Sequence, residues 1–236
     1  TGGTVNLTNL QQIDGYVTFA TDAPAYTLPS LVSAGAVNYE LPDAATLSLP
    51  QLLTQNGGGF AMTSGTLVDA PKLQTLNNAY VSFASTGTFS APLLKDAAGT
   101  LLTLSDPAQT VITGGLSQIA NARFVLSNGA TFNQITDTEY FATSSAIANS
   151  TIMSATGSGT VLDASSLTKI DSYADHWGTN TRTISASAGG QIDLSGVTLL
   201  RGGSGNSGGV DSVRISSVTG GTVNLTNLQQ IDGYVT

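Results

Sequence analysis

Four hexapeptides decide how this chain folds: YTLPSL (26–31), LSLPQL (47–52), VDAPKL (68–73) and FSAPLL (89–94). They begin at positions 26, 47, 68 and 89, a constant step, and each has an apolar first residue, a proline in fourth place and a leucine in sixth. Proline lacks a ladder donor and belongs where a strand ends or turns. Four prolines in one register, Pro29, Pro50, Pro71 and Pro92, therefore mark one corner of a repeating coil.

Extending this register in both directions gives ten anchor residues: Val5, Tyr26, Leu47, Val68, Phe89, Val111, Phe132, Leu162, Ile192 and Val223. Their numbers show a short step up to Phe132 and a longer, again regular step from there to Val223. Five places after each anchor stands an aliphatic residue (Leu10, Leu31, Leu52, Leu73, Leu94, Leu116, Leu167, Val197, Leu228), except that Asp137 occupies the place in the seventh coil. Eight places after, the positions are again apolar or aromatic apart from Gln55. Each anchor alternates with a second residue two positions on, as in Leu47 and Leu49, which is the period of a half-buried strand. A second alternating pair follows: Tyr39/Leu41, Phe60/Met62, Val81/Phe83, Leu102/Leu104 and Phe124/Leu126. In the first coil Val17 and Phe19 fill this role with a slip of one place.

A single coil cannot bury its own apolar row. Stacked coils can, because each coil's backbone groups pair with the coils on either side. The expected fold is therefore all-β, a parallel β-solenoid (β-helix) and one domain over 1–236, with right-handed crossovers. Coils of about 21 residues occupy 1–131, and coils of about 30 residues occupy 132–222, both within the range of stacked repeat architectures. The extra residues lie in Ser144–Gly157, Tyr173–Gly189 and Arg201–Gly209, which are rich in Ser, Gly and Asn and should bulge outward or lengthen one sheet.

A longer repeat overlies the short one. TGGTVNLTNLQQIDGYVT occupies 1–18 and recurs without change at 219–236, so Thr1 maps onto Thr219. The same displacement carries the first anchor, Val5, onto the tenth, Val223, and nine coils lie between them. The segment 219–236 therefore restarts the pattern. This predicts one period of a tandem array that associates end to end and needs no cap between periods. An engineered duplication is the competing explanation.

Composition narrows the function. The chain carries 7 Lys+Arg against 15 Asp+Glu, a net charge of −8, and only 9% of its residues are charged. That balance argues against nucleic acid and against an anionic membrane surface. No apolar run reaches the roughly 18 residues of a membrane span. There is no cysteine, which excludes disulfides and thiolate metal sites. Thr1 is not a methionine and no signal peptide follows, as expected of a mature fragment or a stretch of something longer.

Candidate chemistry is sparse. His176, the single histidine, stands beside Asp175 and the single tryptophan, Trp177. A sugar-stacking or catalytic patch there competes with an aromatic plug over a long loop, and no nucleophile motif accompanies it. Glu40, Asp43, Asp69, Asp163 and Asp193 are the scattered carboxylates that could cleave polysaccharide as a pair. Asp163 and Asp193 each follow their anchors directly on neighbouring coils, about 5 Å apart. Two carboxylates are too few for calcium, and a solvated acidic stripe is the alternative. Gly202–Gly209 is glycine-rich without the Lys-Ser/Thr ending of a phosphate loop, and reads as a loop or linker. Asn6, Asn149 and Asn224 head glycosylation triplets of a kind common in such compositions.

TLPSLVSA, LSLPQL and VDAPKLQTL resemble the coils of receptor-L-type leucine-rich repeats and those of bacterial surface β-solenoid adhesins of the filamentous-haemagglutinin kind. The resemblance runs from Thr4 to Gln134 and returns at Leu162, Ile192 and Val223. The chain departs from it in lacking a consistent asparagine ladder and in the longer coils after Phe132. The resemblance implies an extracellular or cell-surface scaffold or adhesive stalk; lateral association into fibres and surface saccharides are further partners to be expected of such a chain. It carries over no catalytic, cofactor-binding or metal-binding residue, and the expectation is a structural protein and not an enzyme. A carbohydrate-binding or polysaccharide-cleaving β-helix is the alternative.

Overall fold

The computed structural model describes residues 6–173, 180–203 and 211–236. Every strand pairing among them is parallel, and each strand pairs with its counterpart one coil earlier and one coil later. The chain is a parallel β-solenoid with three faces.

The anchors form the first face. Tyr26, Leu47, Val68, Phe89 and Val111 lie in one row, each opposite the next across adjacent strands. Phe132, Leu162, Ile192 and Val223 form a second row. The two rows belong to separate sheets of five and four strands, so this face breaks where the short coils give way to the long ones. The face eight places on is divided over a wider interval: strands from Gln12–Ile13 to Thr75–Asn77 form one sheet, and strands from Glu139–Phe141 to Gln230–Asp232 another. Single bridges through Asp96, Gln118 and Leu116 span the interval. A void of only about 20 Å³, lined by Phe89, Val111, Phe124 and Phe132 among others, marks this junction inside the core.

The third face is unbroken. Ten strands run from Val17–Ala20 to Tyr234–Val235 in a single sheet. Its central row reads Phe19, Tyr39, Phe60, Val81, Leu102, Phe124, Met153, Ile184, Ile215. The longer coils lengthen this face: Asn180–Ser187 and Asp211–Val218 have eight residues each, against four or five in the short coils. In the first long coil the added residues also form a 3-10 turn at Ser145–Ile147, and a bulge at Ile152 lets both Ile152 and Met153 face the core.

Two expectations need correction. Phe19 lies opposite Tyr39, whereas Val17 lies opposite Val37 and not in the Tyr39 or Leu41 rows. Asp137 is the misfit in the leucine row, and the structure shows why. Leu116 bridges to Ile135, which is buried, so Ile135 continues the row two places early. The freed Asp137 accepts hydrogen bonds from the Ile119 and Glu139 amides and steadies the irregular turn.

The corner after each anchor is a tight turn with two interchangeable chemistries. In the short coils the turn amide of Leu31, Leu52, Leu73 or Leu94 donates to the carbonyl three places back, with proline at the first central position, where its fixed φ suits the turn. In the coils anchored on Leu162, Ile192 and Val223 the same turn is closed by Leu167, Val197 and Leu228, and no proline is present. There the residue after the anchor is Asp or Asn, and its side chain accepts from the backbone amide that proline would have lacked. Asp163 holds Ser165, Asp193 holds Ser195 and Asn224 holds Thr226. At the opposite corner, ten places after the anchor, the coils from Leu47 to Val111 take a left-handed backbone, at Gly57, Asn78, Gly99 and Asn121 with φ of 89°, 51°, 68° and 60°.

Candidate functional site

Of the carboxylates singled out by sequence, the fold brings Asp163 and Asp193 together, opposite one another on adjacent strands with Asn224 next in line. They line a shallow shelf with Val161, Gln191 and Thr222. Both are occupied with structural work. Asp163 Oδ1 accepts from the Ser165 amide at 3.0 Å and its hydroxyl at 2.6 Å. Asp193 Oδ1 accepts from the Ser195 amide at 2.9 Å and the Asn224 side chain at 3.1 Å. These are Asx turns, the local arrangement that lets short polar side chains replace a backbone partner.

The other acids are dispersed. Asp69 is paired in register with Ser48 and Ser90, and Pro71, two places on, offers no amide to cap. Asp43 accepts from the Ser64 amide of the following coil at 3.1 Å. Glu40 is exposed at a strand end. Among the described residues no three His, Cys, Asp or Glu side chains gather in a way that could hold a metal ion. Asp175, His176 and Trp177 lie outside the described residues, as does Ser204–Gly209 of the glycine-rich stretch. Among the described residues no helix is long and apolar enough to cross a membrane.

The glycosylation triplets also have local roles. Asn6 and Asn224 each accept from the amide and hydroxyl of the Thr two places on, so their side chains form the same Asx turn. Asn149 adopts φ of 56° and accepts from the Thr181 amide one coil later at 2.9 Å. In the middle coils Asn78 donates to Asn56 at 3.0 Å and Asn77 to the Asp96 carboxylate at 3.2 Å.

Two charged groupings escape a reading of the sequence alone. On the outer edge of the long coils, Lys169 lies 3.2 Å from Asp171 and 3.9 Å from Glu139, and Arg201 lies 3.4 Å from Asp171. The Lys169 ammonium sits over the Phe141 ring, and the Arg201 guanidinium over the Tyr173 ring, 4.6 Å from its centroid. A signal for it exists: Glu139 and Lys169, and Asp171 and Arg201, are opposite charges one long coil apart, which the register stacks directly. The second grouping is inside. Arg182 is fully buried and pairs with buried Asp211 at 3.1 Å, its other terminal nitrogen reaching the Ser144 carbonyl at 3.4 Å. Nothing in the coil register marks it, because Arg182 is opposite Val213 and meets Asp211 diagonally.

Burial also acts on two tyrosines. Desolvation pushes the Tyr39 and Tyr140 hydroxyls well above the usual phenol range, and for Tyr140 it outweighs the opposing pull of Arg182 and Arg123. Tyr140 donates to the Ala122 carbonyl at 2.6 Å, whereas the buried Tyr39 hydroxyl has no hydrogen-bond partner among the described residues.

The site is thus a scaffold of corners, ladders and charge pairs. No protein-family model, curated protein or solved structure matches the chain. What the geometry establishes is the class, a parallel β-solenoid.

Proposed function

We propose that this chain is a structural segment of an extracellular or cell-surface fibre, sheath or adhesin stalk, similar in kind to filamentous-haemagglutinin solenoids, and that it works mechanically and not as an enzyme. Backbone hydrogen bonds directed along the stack and continuous apolar rows resist bending and proteolysis. The observation that carries the reading is the unchanged recurrence of segment 1–18 at 219–236, a displacement that equals nine whole coils. A sequence that returns to its start after a whole number of coils can extend without an end cap. The engagement of Asp163 and Asp193 in turn formation supports the same reading over a carboxylate pair set up for glycoside cleavage.

Electron microscopy of native material tests this. The expected result is long filaments with an axial repeat of about 43 Å, from nine coils at the usual strand spacing. Discrete rods of one period, closed at both ends, would contradict it.

A further inference from the structure

The two copies of the repeated segment, 1–18 and 219–236, fold alike where both are described. Leu10 closes its turn on Leu7 at 3.0 Å, and Leu228 closes its turn on Leu225 at 3.0 Å. Gln12 donates to both Asp14 carboxylate oxygens at 2.8 and 3.0 Å, and Gln230 to both Asp232 oxygens at 2.9 Å. Gly15 and Gly233 turn the same corner at φ of 86° and 73°.

Their neighbours differ. The first copy is covered on the side of the short coils: Ile13 faces Ala34 and Val17 faces Val37. The second is covered on the side of the long coils: Ile231 faces Leu200 and Val235 faces Val213. The molecule therefore displays the two sides of one coil at its two ends. Each copy leaves apolar surface on its other side, with Ile231 55% exposed and Val17 37%.

We infer that this segment is a two-sided adaptor coil that joins the last long coil of one period to the first short coil of the next, its occupant being a further copy of the same sequence. This rests on the tandem reading above and fixes the junction. Superposing the two copies places each adaptor residue between two defined neighbours: Ile13 between Leu200 and Ala34, and Val17 between Val213 and Val37. The register of Val213 with Val235, and the hydrogen bond from the Ile215 amide to the Thr236 carbonyl, set Phe19 of the next period opposite Ile215. The central row of the third face then continues without a break, Met153, Ile184, Ile215, Phe19, Tyr39. The slip of Phe19 by one place belongs to this change from long to short coils. By the same register Ala20 of the next period lies opposite Ser216, and both positions face outward.

The test is a two-period chain, 1–218 followed by 1–236, carrying Ser216→Cys in the first period and Ala20→Cys in the second. The natural sequence has no cysteine, so any disulfide is the introduced one. Directly opposed residues on neighbouring strands fall within the Cα separation that a disulfide accepts. The expected result is a reducible mobility shift on oxidation, absent from a control pairing Ala20→Cys with Arg214→Cys, and a maximum dimension of about 90 Å in small-angle scattering. Failure of the Ser216 pair to close, equal closure of the control, or a chain that scatters as two hinged bodies would overturn the adaptor. A seam that closes in a protein whose native material shows no axial repeat near 43 Å, the advance of about nine strand spacings, would overturn the fibre reading and leave the adaptor standing.

Discussion

Tyr39 lies flat on Phe60, its counterpart one coil further along the axis, with ring centroids 4.8 Å apart and planes 5° from parallel. The separation is the strand spacing itself, so the aromatic rings continue inward the order that the backbone ladder imposes. Phe60 in turn meets Phe89 from the anchor face at 5.1 Å, tying two faces together within the core.

The hydroxyl of Tyr39 is buried without a hydrogen-bond partner among the described residues, and its removal should cost little in packing. Tyr39→Phe is expected to raise the unfolding free energy at neutral pH by up to about 1 kcal/mol, because an unmet desolvation penalty is removed. Tyr140→Phe loses the bond to the Ala122 carbonyl and should lower it by about 1 kcal/mol. Urea unfolding of the two variants decides this.

Alkaline pH should destabilise the fold through the same groups. Both phenols hold their protons more tightly when folded than when unfolded, where the value is about 10. Their contribution is complete below about pH 10 and is lost as the pH rises above it. Unfolding free energy measured from pH 8 to 11 should fall at the alkaline end, and less steeply in Tyr39→Phe.

The two corner chemistries can be exchanged. Asp163→Ala and Asp193→Ala should each cost about 0.5–2 kcal/mol, in line with loss of a side-chain cap on a backbone amide. Asp69→Ala, whose coil has Pro71 in place of a capped amide, should change stability by less than about 0.5 kcal/mol. Adding Ser165→Pro to Asp163→Ala should restore much of the loss, since the turn no longer needs a cap. Thermal melts of these four variants test the exchange, and a null effect of Asp163→Ala would refute it.

The Arg182–Asp211 pair should behave as a buried ion pair. Arg182→Met or Asp211→Asn alone is expected to cost about 3–5 kcal/mol by stranding or misfitting the partner. The double change, Arg182→Met with Asp211→Asn, should cost less than the sum of the two single changes, and denaturation of the four chains measures how far the two sites depend on each other.

Much of this architecture is legible in the sequence because a solenoid writes its long-range pairing as a period. Leu47 and Val68 are distant contacts that appear as two letters one period apart. What the period does not carry is harder to read. Ile135 takes over the leucine row two places early because the coil changes length there, so strict counting selects Asp137. Asp163 and Asp193 look like an exposed acidic pair until the missing proline two places on is compared with Pro71. Arg182 meets Asp211 across a diagonal, inside a part of the coil whose inward positions are otherwise mostly apolar.

The central claim is that residues one coil apart stand directly over one another. Methyl-resolved NMR measures this with least inference in a chain of this size. The account predicts nuclear Overhauser contacts between the methyls of Leu47 and Val68, and between those of Leu162 and Ile192, with none joining the Leu47 row to Ile192. Contacts between Leu47 and Ile192 themselves, or silence between Leu162 and Ile192, would contradict it.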